Sequence, residues 1–184
     1  MALSGLEIRD APHLVTERLD LRLPTAADVA AMAAIVAHED TRRHLGPAFD
    51  PADHFQRFSR NAGSWLLYGY GGFMVRLRGS EELIGNCGVF HSWRGLGADF
   101  DDTPEAGWIL RHDQVGRGIG IEAMTAAFGW FDRAYGPRRV VCMITPENEA
   151  SVRLAGKLGF TPMRETVLPD GDTVMLLERV PAPN

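Results

Sequence analysis

Val115-Gly116-Arg117-Gly118-Ile119-Gly120 leads directly into Ile121, Met124, Phe128, Phe131 and Tyr135, apolar residues recurring in steps of 3, 4, 3 and 4. That spacing is one face of an α-helix, which Gly136-Pro137 stops. Upstream, Glu105 to Leu110 reads as a strand, so the glycines stand at a strand-to-helix junction. Backbone amides at such a junction can close on an anion while the helix N-terminus adds about half a positive charge. A phosphate-bearing ligand is implied, although a tight turn alone also uses glycine.

Known phosphate-binding patterns divide on the surrounding residues. No GxxxxGK[ST] occurs, which removes a Walker loop. Gly118, Gly120 and Ala123 do satisfy the dinucleotide pattern GxGxx[GA] before a helix. The next strand, however, ends in Pro146-Glu147, beyond the usual acidic position, and only one helix and a hairpin follow. A doubly wound sheet cannot be completed from that, and a dehydrogenase stays a distant alternative.

Outward from this junction, Leu14 to Leu23 alternates as one half-buried strand, with Leu19, Leu21 and Leu23 on one side. Pro24 precedes Thr25, an N-cap with Asp28 three residues later, and Val29, Met32, Ala33 and Val36 continue a first helix to about His38. His44 to Ser64 mixes Gly46-Pro47, Pro51 and Gly63 with Phe55 and Phe58, which suggests a loop and a short helix. Gly72 to Arg78 and Leu83 to Phe90 form an antiparallel hairpin about Gly79-Ser80-Glu81-Glu82. Arg139 to Thr145 is the apolar run of a strand covered on both faces. Asn148 caps a last helix that Gly159 ends, and Phe160 to Val167 pairs with Thr173 to Val180 around Pro169-Asp170-Gly171-Asp172.

Composition narrows the classes. The chain has 184 residues, 45% of them apolar, which suits one domain over residues 14–180 after a leader over residues 1–13. Nineteen Lys and Arg against 24 Asp and Glu give a formal charge of −5, with no block of like charge, so nucleic acid is not an expected partner. Met1 to Asp10 lacks the basic flank and apolar run of a signal peptide, and no membrane span is visible, so a cytoplasmic protein is expected. Cys87 and Cys142 lie in apolar strand runs without CxxC spacing or a neighbouring His, so they read as buried thiols and no metal is expected.

The stretch from Glu105 to Phe160 resembles the GNAT superfamily of acetyltransferases. Its coenzyme A motif is [QR]xxGx[GA], matched by residues 115–120 except that Val115 replaces Gln or Arg. Asn148, Ser151, Arg153, Leu154, Lys157, Leu158, Gly159 and Phe160 resemble the family's NxxSxRLxxKxGF segment at the same spacing. Leu14 to Arg22, reading LVTERLDLR, resembles the opening of the branch that includes the ribosomal-protein alanine N-acetyltransferases. The resemblance implies a mixed α/β sheet of six or seven strands with helices on both faces. Coenzyme A would enter between the splayed Glu105 and Arg139 strands, on Ile109, Leu110, Gly116, Arg117, Gly118, Ile119, Gly120, Asn148 and Ser151.

An acetyl-CoA-dependent N-acetyltransferase needs a neutral amine, a polarised carbonyl and a proton for the leaving thiolate. An α-amine of pKa near 8 is partly neutral at pH 7, while a lysine near 10.4 is almost fully protonated. Glu105 resembles the acidic position of the branch's E[LI]GYW segment, here Glu105-Ala106-Gly107-Trp108, and is the candidate base; a solvated strand-end carboxylate is its plain alternative. Backbone amides around Ile109 and Leu110 are expected to face the acetyl oxygen. The tyrosine many GNAT enzymes place seven residues after the Asn is Ala155, which leaves Ser151 as the candidate acid. His91 beside Trp93 is a candidate for the acceptor pocket or for simple packing. The expected acceptor is a protein or peptide N-terminal amine. A small-molecule amine, an antibiotic included, and a non-catalytic acyl-CoA-binding module are the alternatives, and a homodimer stays open.

Overall fold

The structure, a computed structural model, describes residues 12–46 and 50–181. Most of the expected leader, and Pro47 of the expected Gly46-Pro47 turn, lie outside the described residues. The alternation over Leu14 to Leu23 is not one strand. Thr16 N–H donates to Leu19 O at 2.9 Å and Thr16 Oγ1 accepts from Leu19 N–H at 2.9 Å. This turn separates β1 (Leu14–Val15) from β2 (Leu19–Arg22) and pairs the two antiparallel, Leu14 opposite Leu21. The six or seven strands expected thus become eight among the described residues.

Helix α1 (Asp28–Ala37) begins later than a Thr25 cap requires; its N-cap is Ala27, with no side-chain capping bond. Asp28 reaches back instead, accepting the Thr25 N–H at 2.8 Å, the Thr25 hydroxyl at 2.7 Å and both Arg22 guanidinium nitrogens. A short α2 (Glu39–Arg42) follows. The expected loop and short helix are corrected to one long helix, α3 (Pro51–Tyr68). Asp50 accepts the Ala52 and Asp53 N–H groups, Pro51 occupies the first helical position, and Gly69 ends the helix in the left-handed conformation at φ 77°.

The remaining elements are β3 (Gly72–Leu77), β4 (Leu83–His91), β5 (Pro104–Leu110), α4 (Ile119–Tyr135), β6 (Val140–Ile144), α5 (Glu149–Lys157), β7 (Thr161–Val167) and β8 (Thr173–Arg179). The strands form one mixed sheet in the order β1-β2-β3-β4-β5-β6-β8-β7. Alternation decides what each face buries. Phe73 and Val75 of β3 turn to the α4 side, where Met124, Phe128 and Phe131 pack, while Met74 turns to Met32 and Ile35 of α1. Each such buried side chain contributes about 1.5–3 kcal/mol. On β6, Val140 and Cys142 face the α4 core and Val141 faces Phe100, Val174 and Leu176, as its continuous apolar run predicts.

One irregularity positions the site. β5 and β6 run parallel but share a single registered pair, Glu105 with Val141, and beyond it they diverge. Along its other edge β5 pairs with β4 over its whole length, from His91 opposite Pro104 to Gly85 opposite Leu110.

Candidate active site

After β5, a 3-10 turn (His112–Gln114) and the glycine stretch carry the chain into α4. Gly116 and Gly118 adopt φ of 79° and 78°, a left-handed conformation in which a side chain would be strained. Gly118 is also the N-cap, so no side chain caps α4. The first-turn amides therefore stay available to an outside anion, aided by the helix dipole. At Gly120 a Cβ would lie 2.9 Å from Leu154 Cδ2, so any side chain there would make Leu154 shift on α5.

Arg18 braces this turn from the far end of the chain. Its guanidinium donates to Arg117 O at 2.9 Å and to Glu122 Oε2 at 2.6 Å, while Glu122 Oε1 accepts the Thr16 hydroxyl at 2.6 Å. Burial alone would push the Glu122 carboxyl up, but the bonds from Thr16 and Arg18 outweigh it and hold the group below the usual range.

A cavity of about 720 Å³ opens over this turn, bounded by Gly116, Gly118, Gly120, Leu110 and Lys157. A second, of about 400 Å³, lies towards α3 and is lined by Arg57, Arg60, Arg94 and Glu105. Both include Trp108, Ile109, Asn148 and Ser151 in their walls, so they meet in the gap between β5 and α5. At this junction the Trp108 indole N–H donates to Ser151 Oγ at 3.1 Å. Asn148 caps α5, its Oδ1 accepting the Ser151 N–H at 3.1 Å.

The model of the acetyltransferase (GNAT) domain matches residues 18–161. The chain belongs to the GNAT acetyltransferase family. Its fold superposes on that of a Bordetella pertussis protein described as a GnaT-family acetyltransferase, with a TM-score of 0.82, 33% identity, and coverage of 92% of this chain and 99% of that one. An acetyltransferase from Agrobacterium tumefaciens str. C58 gives 0.80 at 26% identity over 98% and 100% of the two chains. The ribosomal L7/L12 alpha-N-protein acetyltransferase RimL, solved in complex with coenzyme A, shares the fold at 0.71 and 18% identity over 91% and 96%.

Within the GNAT frame, the residues expected for the donor fall in or beside the larger cavity. Gly116, Gly118, Gly120, Leu110, Ile109, Asn148 and Ser151 line it; Ile119 is buried beneath it at the start of α4. Arg117 turns aside to Gln114, whose Oε1 accepts its guanidinium at 3.1 Å. Arg111 N–H donates to Ile84 O on β4, so by the period of two the N–H groups of Leu110 and Trp108 face the other way, into the gap. The Ile109 N–H faces β4 instead of the gap, a correction to the expectation, while Ile109 is part of the wall of both cavities.

Glu105 is not a solvated strand-end carboxylate. It is 3% exposed, both oxygens accept from Arg94 at 2.6 and 2.7 Å, and Ser92 Oγ donates a further bond. Three of its about four lone-pair positions are thus engaged, and protonation would weaken the ion pair with Arg94. Ala155 is fully buried in the core cluster around α4. His91, expected either in an acceptor pocket or in simple packing, is not in the wall of the smaller cavity. Its Nδ1 meets the Tyr70 hydroxyl at 3.1 Å, its Nε2 meets Asp102 at 3.1 Å, and Tyr68 stacks on its ring. Burial raises both thiols, Cys87 to about 12, and no cluster of His, Cys, Asp or Glu among the described residues could hold a metal ion. No helix among them is long and apolar enough to cross a membrane.

Sequence reasoning missed Arg57, Arg60 and Arg94. Asp50-Pro51, an N-cap followed by proline at the first helical position, was the available signal for the helix that carries the first two.

Proposed function

We propose that the protein is a cytoplasmic N-acetyltransferase that moves the acetyl group of acetyl-CoA onto a primary amine, foremost a protein or peptide N-terminus. One observation carries the reading: a large cavity over an uncapped helix N-terminus and a smaller cavity that holds Arg57, Arg60, Arg94 and Glu105 join at Trp108 and Ser151. A donor bearing pyrophosphate fits the first, and an amine entering the second meets its thioester at the junction. The coenzyme A held by RimL supports the donor, and that enzyme's alpha-N-protein substrate supports the acceptor.

In this reading the neutral amine attacks the thioester carbonyl, and the Trp108 and Leu110 N–H groups stabilise the oxyanion. The C–S bond then breaks and the thiolate takes the Ser151 hydroxyl proton. Because Trp108 already donates to Ser151 Oγ, the serine's own hydrogen is left to point elsewhere, and the developing alkoxide keeps a donor. The proton shed by the acylated nitrogen returns to Ser151, directly or relayed through water by way of Glu105, so the serine is restored for the next turnover. The products are an amide and free coenzyme A. Glu105 serves as base at the cost of loosening Arg94, so it matters most for strongly basic amines.

A mass-spectrometric screen of peptides and small amines with acetyl-CoA tests this. Acetylated amine with matching release of free thiol supports it. Acetyl-CoA binding without product across the panel favours an acyl-CoA-binding module, the alternative to which Ala155 and the clasped Glu105 give weight.

A further inference from the structure

The smaller cavity has a charge arrangement that an amine alone does not use. Arg57 and Arg60 of α3 stand three residues apart, so they share one helix face and repel. Arg94 is neutralised by Glu105. Arg57 has only a long bond to Leu45 O, at 3.3 Å, and Arg60 has no hydrogen bond or ion pair among the described residues. Although Arg60 is exposed as a residue, its guanidinium is held below its ordinary pKa by partial burial first and then by Arg94 and Arg57, with Glu105 opposing. The acids that face this cavity from its other side, Asp170 and Asp172 in the β7–β8 turn, make no ion pair to either arginine.

A helix face that keeps two crowded cations at a cavity, neither of them ion-paired among the described residues although Glu105, Asp170 and Asp172 line the same cavity, offers both to an anion from outside. Given the acetyltransferase reading on which this rests, we infer that the acceptor is an amine carrying an anionic group, a carboxylate or phosphate, held by Arg57 and Arg60 while the nitrogen reaches Trp108 and Ser151. Asp170 and Asp172 face the cationic end of the same molecule as it enters. The shared chemistry is met either by a peptide N-terminus followed by acidic residues or by a small amino acid.

The test uses matched pairs of acceptors on the protein saturated with coenzyme A, read by calorimetry. One pair is the peptide amide Ser-Asp-Glu against Ser-Asn-Gln; the other is γ-aminobutyrate against butylamine. The anionic member of at least one pair should bind about tenfold tighter, as one charge-assisted contact gives. The pair that responds identifies the source of the anion. The preference should fall in Arg57→Gln and Arg60→Gln, vanish in the double variant and weaken in 0.5 M salt, while acetyl-CoA affinity holds. Equal binding within both pairs, no binding, or a preference that survives both substitutions overturns the inference. Acetyl transfer is scored separately. Tight anionic binding without transfer overturns the acetyltransferase reading and leaves the charge inference standing, whereas equal transfer to neutral partners overturns the charge inference alone.

Discussion

The Trp108 indole N–H donates to Ser151 Oγ at 3.1 Å, tying the diverging edge of β5 to the first turn of α5. If Ser151 is the acid, its removal strikes the chemical step harder than donor binding. Ser151→Ala should lower kcat about 10²- to 10⁴-fold, well beyond any loss of acetyl-CoA affinity from its place in the donor cavity, and Trp108→Phe should lower kcat less, since the hydroxyl remains but is no longer held. Steady-state kinetics beside a donor titration reads both, and a Ser151→Ala enzyme with wild-type kcat removes the serine from the proton path.

Acetyl-CoA should raise the unfolding temperature of the native protein, because it binds the folded glycine turn and not the unfolded chain. Gly118→Asp strains the left-handed turn and sets a carboxylate beside Arg18 at the helix N-terminus, adding negative charge against an entering phosphate, and Gly120→Val drives methyl groups towards Leu154. Either should abolish the shift in a thermal melt. A variant that retains the full shift would mean the donor does not use this turn.

Glu105→Gln should cost turnover chiefly with strongly basic acceptors. A lysine-like amine is almost wholly protonated at pH 7.5, whereas an amine of pKa near 8 already supplies a useful neutral fraction. The loss should shrink as pH rises from 6 to 9. Removing the Glu105 charge also strands Arg94, so the variant should be less stable even where it remains active. Profiles that match wild type on both acceptor types would leave Glu105 only the role of holding Arg94.

The Glu122 carboxyl is held below its ordinary value in the folded protein, so the unfolded chain binds its proton at higher pH than the native state does. Its contribution to stability is therefore complete above the unfolded value near 4.5 and is lost as pH falls through the lower folded value. Denaturant midpoints from pH 7 down to pH 3 should fall less steeply in Glu122→Gln than in wild type. Because Glu122 and Arg117 share Arg18, the variant should also bind acetyl-CoA more weakly at pH 7.

Local periodicity made most elements legible. The steps of three and four after Gly120, the asparagine cap at Asn148 and the apolar run over Val140 to Ile144 each depend on neighbours close in sequence, and each appears in the structure. Two errors came from competing local signals. Thr16 offers its hydroxyl to Leu19 and breaks an alternation that otherwise reads as continuous. In α3, Gly63 and a mostly polar surface masked a helix whose ends were nonetheless marked by Asp50-Pro51 and Gly69. The clasp on Glu105 had no such signal, because Arg94 reaches it by a loop folding back across eleven residues. The glycine turn could be read along the chain, while the wall of the smaller cavity is assembled by tertiary packing.

The single registered pair between β5 and β6 has a mechanical meaning. It makes the sheet two leaves, β1 to β5 and β6 to β8, hinged near Glu105 and Val141 and open along one seam. A pantetheine arm lying in that seam would occupy the place of an absent strand, its amides available to the backbone edge that β6 leaves bare. On that account the donor splints the two leaves, and slower hydrogen exchange at Trp108 and Leu110 in its presence would record the stiffening.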